Sequence, residues 1–273
     1  MKLSVIILNH NTPRLVKYLL DNIEVQKPTF DYELIIIDNG PRHGLRDLIK
    51  EKIPYLKYKA VPNKGYSAGN NQGLKEATGE YVLIVNPDIY FLPDTFQRLV
   101  EYMDAQPAIG MLGPKLIYPS GEYQYSCLRY PDWRLPFYRR SFLGRTKAGE
   151  RWLRHYLMQD YDHMTPRSVN WLFGACLLVR RQALEEVGLL DENFFMYFED
   201  LDWCRRFWQK GWEVHYYPKV EVIHFHHRDS ADRQGLKGLL TKLGRVHLVS
   251  WFKYMLKYKN YERFDGRGSR NDD

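Results

Sequence analysis

Residues 4–11 read SVIILNHN, an apolar run that stops at Asn9 and Asn11. A run of this length and composition is typical of a strand buried on both faces, as in a parallel sheet. Pro13 then opens a pattern in which apolar side chains recur at spacings of three and four residues, which indicates a helix. The stretch therefore predicts the first strand and the first helix of an α/β domain, with polar side chains where the strand ends.

Three further runs repeat this pattern in the N-terminal third. Tyr32–Asp38 (YELIIID), Tyr58–Val61 and Tyr81–Val85 (YVLIV) are each followed by polar residues. Strands that alternate with helices predict a mostly parallel sheet covered on both faces, and ligands bind beyond the carboxyl ends of its strands. The polar residues at the four strand ends therefore predict one nucleotide cleft. They are Asn9 and Asn11, Asp38 and Asn39, Asn63 and Gly65, and Asn86 and Asp88.

Length, charge and composition limit the function classes. The chain has 273 residues, 44% of them hydrophobic, and a net charge of +7. This length fits one large α/β domain, or one domain with a small appendage. The basic balance suits nucleotide phosphates, nucleic acid or an anionic membrane without choosing among them. Aromatic residues make up 15% of the chain, which suits a carbohydrate or lipid surface as well as an aromatic core.

Cysteine usage and apolar runs bear on the cellular compartment. Cys127, Cys176 and Cys204 are widely spaced and odd in number, so we expect neither a disulfide scaffold nor a zinc site. The N-terminal apolar run is too short for a signal peptide, and the run around residues 171–179 is far below the ~20 residues of a membrane span. We expect a cytoplasmic protein, either soluble or peripheral on the inner face of the cell membrane.

The remaining organisation is a main domain followed by an extension. The main domain is expected to cover residues 1–230, with a basic, aromatic variable segment at 122–168. That segment fits either a solvated insertion or a surface for an anionic, lipid-linked acceptor. Residues 231–265 predict an amphipathic helical extension, because leucines and other apolar residues recur at helical spacing among basic ones; it either packs on the domain or lies in a membrane interface. Residues 266–273 predict a disordered tail.

After the variable segment, runs of apolar residues again predict strands and helices. Residues 169–181 (VNWLFGACLLVRR) predict one buried strand with a central glycine, and residues 181–187 predict a short helix. An acidic helix follows and is expected to end at Gly211. Val220–Ile223 then predict a strand that runs into His224.

Two of the N-terminal strand ends suit a nucleoside diphosphate. Asp38 is positioned to accept hydrogen bonds from a nucleobase or a ribose. Residues 63–71 (NKGYSAGNN) carry small side chains at a helix start, where backbone N–H groups and the helix dipole favour a diphosphate. The spacing is not GxGxxG, and a tight turn with a capped helix is the simpler alternative.

Acidic residues suit metal binding and proton transfer. Asp88 can hold Mg²⁺ or Mn²⁺ against a diphosphate, or it can cap a turn. Glu199, Asp200 and Asp202 cluster at a helix start, where repulsion between like charges needs a cation or a proton-transfer role to offset it. Pairing with Arg206 one turn later explains Asp202, whereas Asp200 is suited to deprotonate an acceptor hydroxyl.

A run of histidines follows the last predicted strand, at residues 224–227 (HFHH). Imidazole can ligate a divalent metal. Histidines at a strand end are also common as surface residues, but the position after the acidic helix favours a role in the site.

Eight stretches, in this order, resemble one family. The chain is similar to family 2 glycosyltransferases with the GT-A fold and, within them, to bacterial rhamnosyltransferases that use dTDP-rhamnose. The resemblance covers about residues 1–120 and 165–230, and it implies an α/β fold with a Rossmann-like nucleotide-binding half and a mixed central sheet. The stretches are SVIILNHN, IIIDNG, NKGYSAGNNQG, VLIVNPD, NWLFGACLLVRR, GLLDENFFMYFEDLDWCRR, KGWEVHYYP and VIHFHH.

The resemblance also implies roles for individual residues. Asp200 matches the catalytic base, and Asp88 and His224 match the ligands of Mg²⁺ or Mn²⁺. The family's Asp-x-Asp motif reads Asn-Pro-Asp here, so an amide replaces one carboxylate and should weaken metal binding. The residues expected to contact the nucleotide sugar are Asn9, Asn11, Asp38, Asn63, Gly65, Asn70, Asn86, Glu199 and Arg206.

Together these features predict an inverting, metal-dependent glycosyltransferase. The favoured donor is dTDP-β-L-rhamnose, and the favoured acceptor is a hydroxyl of a polysaccharide or of a polyprenyl-diphosphate-linked glycan. A UDP-hexose or UDP-N-acetylhexosamine donor and nucleotidyl transfer are the enzymatic alternatives. A non-catalytic, membrane-associated carbohydrate-binding protein is a further alternative, although a binder has no need of a base. No recognised nucleic-acid-binding motif is present, so we expect no nucleic-acid partner.

Overall fold

The central element of the fold is a ten-stranded β-sheet, accompanied by a separate two-stranded sheet. The structure is a computed structural model, and it describes residues 1–40, 44–225 and 241–259. The strands are β1 (Leu3–Asn9), β2 (Tyr32–Asp38), β3 (Lys57–Ala60), β4 (Tyr81–Val85), β5 (Ile89–Phe91), β6 (Ile109–Ile117), β7 (Tyr123–Gln124), β8 (Cys127–Leu128), β9 (Arg167–Ser168), β10 (Trp171–Leu172), β11 (Cys176–Arg180) and β12 (Glu213–His224).

Helices connect the strands and cover the sheet. Pro13 opens the first helix, where its fixed φ suits helical geometry and its missing N–H costs no hydrogen bond. The helices are α1 (Pro13–Ile23), α2 (Gly44–Leu48), α3 (Tyr66–Glu76), α4 (Thr95–Asp104), α5 (Leu135–Arg140), α6 (Lys147–Tyr156), α7 (Arg181–Val187), α8 (Glu199–Gln209) and α9 (Lys242–Lys257), with 3₁₀ helices at Ile53–Tyr55 and Phe142–Arg145. The predicted helices at Pro13 and at residues 181–187 are confirmed.

The strand order along the main sheet is β3-β2-β1-β4-β11-β6-β12-β5. β11 is antiparallel to both β4 and β6, so β6 runs in the direction of β4, and β12 is parallel to β6. β1, β2, β3 and β4 are parallel to one another, whereas β5 is antiparallel to β12. Six of these eight strands therefore point the same way, and the predicted mixed, mostly parallel sheet is confirmed.

This topology brings the predicted site residues to one edge of the sheet. The carboxyl ends of β1, β2 and β12 carry Asn9, Asp38 and His224. The antiparallel strands β11 and β5 begin at the same edge, because Cys176 pairs with the last residue of β4 and Ile89 pairs with His224. Side chains that are far apart in sequence therefore lie together at the edge of the sheet where ligands bind in such folds.

Apolar side chains cover both faces of the sheet. Val5 and Ile7 of β1 belong to the core layer that includes residues of α1 and α4. Ile6 and Leu8 belong to the opposite layer, which includes residues of α3, α7 and α8. Because alternate residues of a strand point to opposite faces, a strand buried on both sides reads as a continuous apolar run.

Residues 169–181 do not form the single strand that was predicted. β10 and β11 are separated by a turn at Gly174. The N–H of Gly174 donates to the carboxylate of Asp200, and its carbonyl accepts a hydrogen bond from the Tyr66 hydroxyl. The prediction was wrong because these backbone groups bond to side chains of other elements and not to a neighbouring strand.

The last strand of the main sheet is longer than predicted. β12 includes the predicted Val220–Ile223 but begins at Glu213. Pro218 lies within it, and the pairing register with β6 shifts between Tyr217 and Glu221. A proline lacks the N–H for a ladder bond and is tolerated in a strand where the pairing is irregular.

The basic aromatic segment at 122–168 contains short strands and helices, from β7 to β9. Arg129 binds Asp160 through two hydrogen bonds of 2.8 Å, and its carbonyl accepts from the Trp171 indole at 3.0 Å. Trp152 stacks on Tyr156, with a ring-centroid distance of 5.2 Å. The bond from Trp171 joins the segment to β10, and the other contacts lie within the segment.

Helix α9 packs on the domain, but partly through a face other than the predicted apolar stripe. Ser250 Oγ donates to the carbonyl of Met196, and Tyr254 is buried. Phe252 and Leu256 of the predicted stripe are about half exposed. Residues 231–240 and 260–265 of the predicted extension, and the predicted tail at 266–273, lie outside the described residues. Among the helices that the structure describes, none is long and apolar enough to cross a membrane.

Candidate active site

Asp38 lies at the carboxyl end of β2 within a hydrogen-bond network. Its Oδ1 accepts from Asn9 Nδ2 at 2.7 Å and from the N–H of Gly40 at 3.1 Å, and its Oδ2 accepts from the Tyr58 hydroxyl at 2.8 Å. Asp38 and Asn9 are buried, and the exposed Asn11 lies against Gly40 beside them. This carboxylate is therefore held in one orientation before any ligand binds.

The start of α3 contacts the loop that precedes α8. The N–H of Tyr66 donates to the carbonyl of Phe195 at 2.7 Å, and Ser67 Oγ donates to the carbonyl of Phe194 at 2.7 Å. Gly65 has a φ of +104°, and a Cβ there would lie 2.3 Å from the Phe195 carbonyl oxygen, so a side chain does not fit. The first N–H of this helix is therefore engaged by the chain itself, and phosphate binding by Gly65 stays a prediction.

Two asparagines of the same segment differ in their pairing. Asn63 is exposed, and its Oδ1 accepts from the N–H of Gly65 at 3.0 Å. Asn70 is fully buried, and its Nδ2 donates to the carbonyl of Tyr66 at 3.1 Å. Asn70 Oδ1 has no hydrogen-bond partner among the described residues. An unpaired buried oxygen is costly, and contact of Asn63 or Asn70 with a ligand stays a prediction.

Gly174 connects the end of β4 to the start of α8. Its N–H donates to Asp200 Oδ2 at 2.9 Å, and its carbonyl accepts from the Tyr66 hydroxyl at 2.7 Å. The same hydroxyl lies 3.2 Å from Asn86 Oδ1. A Cβ on Gly174 would lie 3.3 Å from the Cβ of Asp200 and 3.5 Å from the Tyr66 hydroxyl oxygen. A glycine here lets three elements converge, and it links Asn86 to Asp200.

Asp200 is partly exposed at the start of α8, and both of its oxygens accept backbone hydrogen bonds. Oδ1 accepts from the N–H of Leu201 at 2.8 Å, and Oδ2 accepts from Gly174. Burial raises the pKa of Asp200 to about 6, although these backbone donors favour its ionised form. A carboxylate with this pKa is mostly ionised at pH 7 and still basic enough to take a proton from a hydroxyl in a transition state.

Glu199 precedes Asp200 and is almost fully buried, with 6% of its surface exposed. Its Oε2 has no hydrogen-bond partner within the part of the chain that the structure describes. Burial raises the pKa of Glu199 well above its usual range, and the negative charge of Asp200 raises it further. Burial and the neighbouring charge therefore both favour the protonated form of Glu199.

Asp202 has a structural role. It is fully buried, its Oδ2 accepts from Arg206 Nε at 2.9 Å, and its Oδ1 accepts from the Tyr258 hydroxyl at 2.7 Å and pairs with Lys257 Nζ at 2.6 Å. The predicted pairing of Asp202 with Arg206 is confirmed. The Arg206 guanidinium also donates to two carbonyls of the preceding loop. These bonds hold α8 to the fold, and contact of Arg206 with the nucleotide sugar stays a prediction.

Asp88 and His224 lie together where β5 begins and β12 ends. Asp88 Oδ2 is 3.4 Å from His224 Nε2, and His224 Nδ1 is 2.8 Å from Gln124 Oε1. Because an amide oxygen only accepts, Nδ1 donates to it, and Nε2 is the ring nitrogen on the side of Asp88. Ligand atoms lie about 2.0–2.2 Å from Mg²⁺ or Zn²⁺, so two such atoms 3.4 Å apart can contact one divalent cation.

The described residues contain no group of three or more His, Cys, Asp or Glu side chains suited to a metal ion. Asp88 and His224 thus form a two-ligand pair, which suits a cation that is also bound by the oxygens of a substrate diphosphate. His226 and His227 of the predicted histidine run lie outside the described residues.

The amino-acid sequence of this chain matches the model of a known family. The family model described as Glycosyl transferase family 2 matches residues 4–188. The chain belongs to glycosyl transferase family 2. It is therefore a glycosyltransferase, and the matched range contains Asp38, Asn86 and Asp88, whereas Asp200 and His224 lie beyond it.

Curated relatives support the family assignment. N-acetylglucosaminyl-diphospho-decaprenol L-rhamnosyltransferase of Mycobacterium tuberculosis is 30% identical over 225 residues, which cover 78% of this chain and 72% of the relative. Rhamnosyltransferase WbbL of Escherichia coli is 25% identical over 277 residues, which cover 95% of this chain and 96% of the relative. This glycosyltransferase thus resembles rhamnosyltransferases over most of its length.

A solved structure supports the fold. Mannosyltransferase PcManGT from Pyrobaculum calidifontis, in complex with GDP-Man and Mn²⁺, has a TM-score of 0.61 to this glycosyltransferase and is 21% identical to it. The match covers 94% of this chain and 64% of that structure. The predicted GT-A fold is confirmed.

Sequence reasoning missed three residues that organise the site of this glycosyltransferase. Gly174 and Tyr66 lie in stretches that carry the family resemblance, but neither was given a role. A glycine inside a strand pattern signals a break or a close approach, and that signal could have found Gly174. Gln124, which orients His224, lies in the segment without regular pattern, and no sequence signal distinguishes it.

Proposed function

We propose that this glycosyltransferase transfers L-rhamnose from dTDP-β-L-rhamnose to a hydroxyl of a polysaccharide or of a polyprenyl-diphosphate-linked precursor, with inversion at the anomeric carbon. The two rhamnosyltransferase relatives support the sugar, and the name of the mycobacterial one supports the acceptor class. The observation that carries the chemistry is the partly exposed carboxylate of Asp200, held by Gly174 at the sheet edge and with a pKa raised to about 6.

In this proposal Asp200 acts as the general base. It accepts the proton of the acceptor hydroxyl while the hydroxyl oxygen attacks the anomeric carbon of the donor. The bond between that carbon and the diphosphate oxygen breaks in the same displacement, so the configuration inverts and dTDP leaves. The N–H groups of Gly174 and Leu201 keep the carboxylate in place, and the raised pKa of Glu199 disfavours a second negative charge next to it.

The nucleotide is assigned to the ends of β1 and β2. There Asp38 is held with its oxygens oriented, and a carboxylate in that position accepts hydrogen bonds from a ribose or a nucleobase. Asn11 lies beside it on the exposed side. Asn70, with its unpaired Oδ1, is the residue of the α3 segment assigned to donor binding.

The residues at the end of β12 fit a divalent cation, Mg²⁺ or Mn²⁺. Asp88 and His224 would hold it, and its charge would stabilise the diphosphate as it leaves the sugar. The Mn²⁺ in the mannosyltransferase structure supports this part of the proposal. Asn86 has its amide oxygen near the Tyr66 hydroxyl, so a single carboxylate contributes and we expect weak metal affinity.

A donor screen tests the proposed reaction. The purified chain is incubated with dTDP-rhamnose, UDP-glucose, UDP-galactose or UDP-N-acetylglucosamine, with or without Mn²⁺, and with a short-chain lipid diphosphate N-acetylglucosamine as acceptor. Release of nucleoside diphosphate is expected to be fastest with dTDP-rhamnose and to depend on the acceptor and on Mn²⁺. Faster turnover of a UDP-sugar would overturn the donor, and no turnover of any donor would overturn the reaction.

The metal pair is tested by His224→Ala. This change removes one of two protein ligands, so the Mn²⁺ concentration for half-maximal activity should rise about 10–100-fold. His215→Ala is the matched control, because His215 lies on the same strand but pairs with Glu213 and not with Asp88. An unchanged Mn²⁺ requirement in His224→Ala would remove this histidine from the site.

Association with the inner face of the cell membrane is part of the proposal. Trp133 and Phe142 are 65% and 76% exposed in the basic aromatic segment, and Phe137 is also exposed. Arg145 and Arg151 are exposed in the same segment. Exposed aromatic side chains among basic ones suit the interface of an anionic bilayer, and a lipid-linked acceptor would be met there.

Vesicle sedimentation tests this surface. The chain should sediment with phosphatidylcholine vesicles that contain phosphatidylglycerol, and less with phosphatidylcholine alone. The double variant Trp133→Ser, Phe142→Ser should lose most of this binding and keep its activity on a water-soluble acceptor. Tyr55→Ser is the control, because Tyr55 is highly exposed outside the segment. Equal sedimentation of all three proteins would contradict the assignment.

A further inference from the structure

A cavity of about 230 Å³ lies next to β7, and the proposed reaction does not use it. Its lining combines tyrosine rings with amide and carboxylate groups. Aromatic rings pack against the C–H faces of a sugar, and amide or carboxylate groups bond to its hydroxyls. The lining residues that matter here are Tyr123, Tyr125, Gln159, Tyr161, Asp162 and His163.

His163 organises the rings of this cavity. It is buried, and its ring centroid lies 4.5 Å from that of Tyr123, 4.6 Å from that of Tyr161 and 5.8 Å from that of Tyr125. Its Nε2 lies 3.0 Å from the carbonyl of Met158 and must donate to it, so its Nδ1 accepts from the Tyr123 hydroxyl at 2.9 Å. Burial also lowers the pKa of His163. The aromatic part of the wall is thus held in place by these contacts before a ligand enters.

The segment that lines the cavity also supports the catalytic site. Gln124, between the two lining tyrosines Tyr123 and Tyr125, holds His224 at 2.8 Å. Two residues further on, the carbonyl of Ser126 accepts from the N–H of Phe173 at 2.9 Å, and the next residue in that loop is the glycine that holds Asp200. A ligand in the cavity therefore lies against a segment that touches both the metal pair and the loop of the base.

Charge and size indicate the class of ligand. Lys115, at the edge of the cavity, is paired with Glu221 at 2.8 Å, so its charge is compensated and a phosphate gains little there. Asp162 is exposed and favours neutral, hydroxyl-rich ligands over anions. The volume is below the ~300–1,000 Å³ of sites for drug-sized ligands, which suits one sugar ring.

We propose that this cavity is a subsite for a sugar residue of the acceptor glycan. The proposal rests on the proposed function, because a sugar bound here is an acceptor only if the chain transfers sugar to glycans. The subsite adds a determinant of acceptor choice that is separate from the donor site. Tyr123 of β7 and the nearby Tyr125 pack against the sugar ring, and Gln159 and Asp162 bond to its hydroxyls.

Kinetics test the subsite with Tyr125→Ala. Tyr125 is at the surface end of the wall, with 36% of its surface exposed, so its truncation should leave the fold intact. The KM for a short-chain lipid diphosphate N-acetylglucosamine should rise about tenfold, whereas kcat and the donor KM stay within about twofold. Tyr18→Ala is the matched control, because it removes an exposed tyrosine of α1. An acceptor KM that changes no more than in this control, or a donor KM that rises equally, would overturn the subsite.

A binding measurement separates failure of the subsite from failure of the proposed function. Saturation-transfer NMR is recorded with the methyl glycosides of N-acetylglucosamine, glucose, galactose and rhamnose. Transfer to the ring C–H protons of at least one glycoside is expected with the unmodified protein, and its loss is expected in Tyr125→Ala. If no donor turns over but this transfer is seen, the function is wrong and the sugar site stands. If turnover is normal and Tyr125→Ala binds all four glycosides like the unmodified protein, the subsite alone is wrong.

Discussion

Asp38 and Asp200 lie at the same edge of the sheet, but the regions around them differ. Asp38 is buried and accepts hydrogen bonds from an amide, a phenol and a backbone N–H. Asp200 accepts from two backbone N–H groups of the described residues, is partly exposed and has a pKa raised to about 6. The ends of β1 and β2 hold the Asp38 carboxylate, a hydrogen-bond acceptor, in one fixed orientation. The start of α8 presents a carboxylate that can exchange a proton.

The largest effect is expected from Asp200→Asn. The amide cannot take a proton, so kcat should fall about 10³-fold, within the range attributed to a general base. The dissociation constant of the donor should stay within about twofold, because the carboxylate acts on the acceptor. Turnover is measured by dTDP release and donor binding by calorimetry. Residual kcat above about a tenth of the original value would assign the base elsewhere.

The pH profile gives the next largest effect. Because the base must be ionised, kcat/KM should fall about tenfold per pH unit as the pH drops below about 6, the raised pKa of Asp200. Because burial raises the pKa of Glu199 well above its usual range, Glu199→Gln should leave the midpoint nearly unchanged. A midpoint that falls by a unit or more in Glu199→Gln would mean that Glu199 is ionised and that its charge raises the pKa of the base.

Asp38→Asn tests the other side of the comparison. The new NH₂ group would face the hydrogen-bond donors Asn9 and Tyr58, so the oriented hydrogen-bond acceptor is lost. The KM for the nucleotide sugar should therefore rise about tenfold, with kcat nearly unchanged. Asp31→Asn is a suitable control, because Asp31 is exposed just before the opposite end of β2. A fall in kcat with an unchanged donor KM would contradict a binding role for Asp38.

The smallest effect on activity is expected from Asp202→Asn. This change weakens the bonds to Arg206, Lys257 and Tyr258, so the free energy of unfolding should fall by about 2 kcal/mol. The kcat of the folded enzyme should stay within about twofold. Urea unfolding followed by tryptophan fluorescence measures the first quantity. A loss of kcat comparable to that of Asp200→Asn would place Asp202 in the reaction.

The strands β1, β2 and β4 could be predicted because their apolar runs are buried in the sheet. β2 and β4 match their predicted bounds to the residue, since polar residues follow each apolar run. β12 was predicted only from Val220, because its burial alternates along the strand and alternating side chains give no apolar run. The positions of β11 and β12 within the sheet depend on contacts between distant residues, which local pattern does not contain.

The site was predicted as a set of residues rather than as an arrangement. Asp38, Asp88 and His224 lie at the predicted strand ends, because strand direction alone brings them to one edge. The different states of Glu199, Asp200 and Asp202 could not be predicted, because each depends on burial and on partners from other elements. Tyr258, which donates to Asp202, directly follows α9, a helix whose packing face differs partly from its most apolar stripe.

The hydrogen-bonded contact between α3 and the loop before α8 affects the order in which the parts of the fold form. The hydrogen bond from Ser67 to the carbonyl of Phe194 joins positions 127 residues apart. Contacts of this separation form late, because a long chain segment must first be enclosed. On the ribosome, the strands β1 to β4 can pair while α8 is still inside the exit tunnel, but nothing yet positions Asp200. Nascent chains therefore form the sheet edge that carries Asp38 before they complete the surroundings of Asp200.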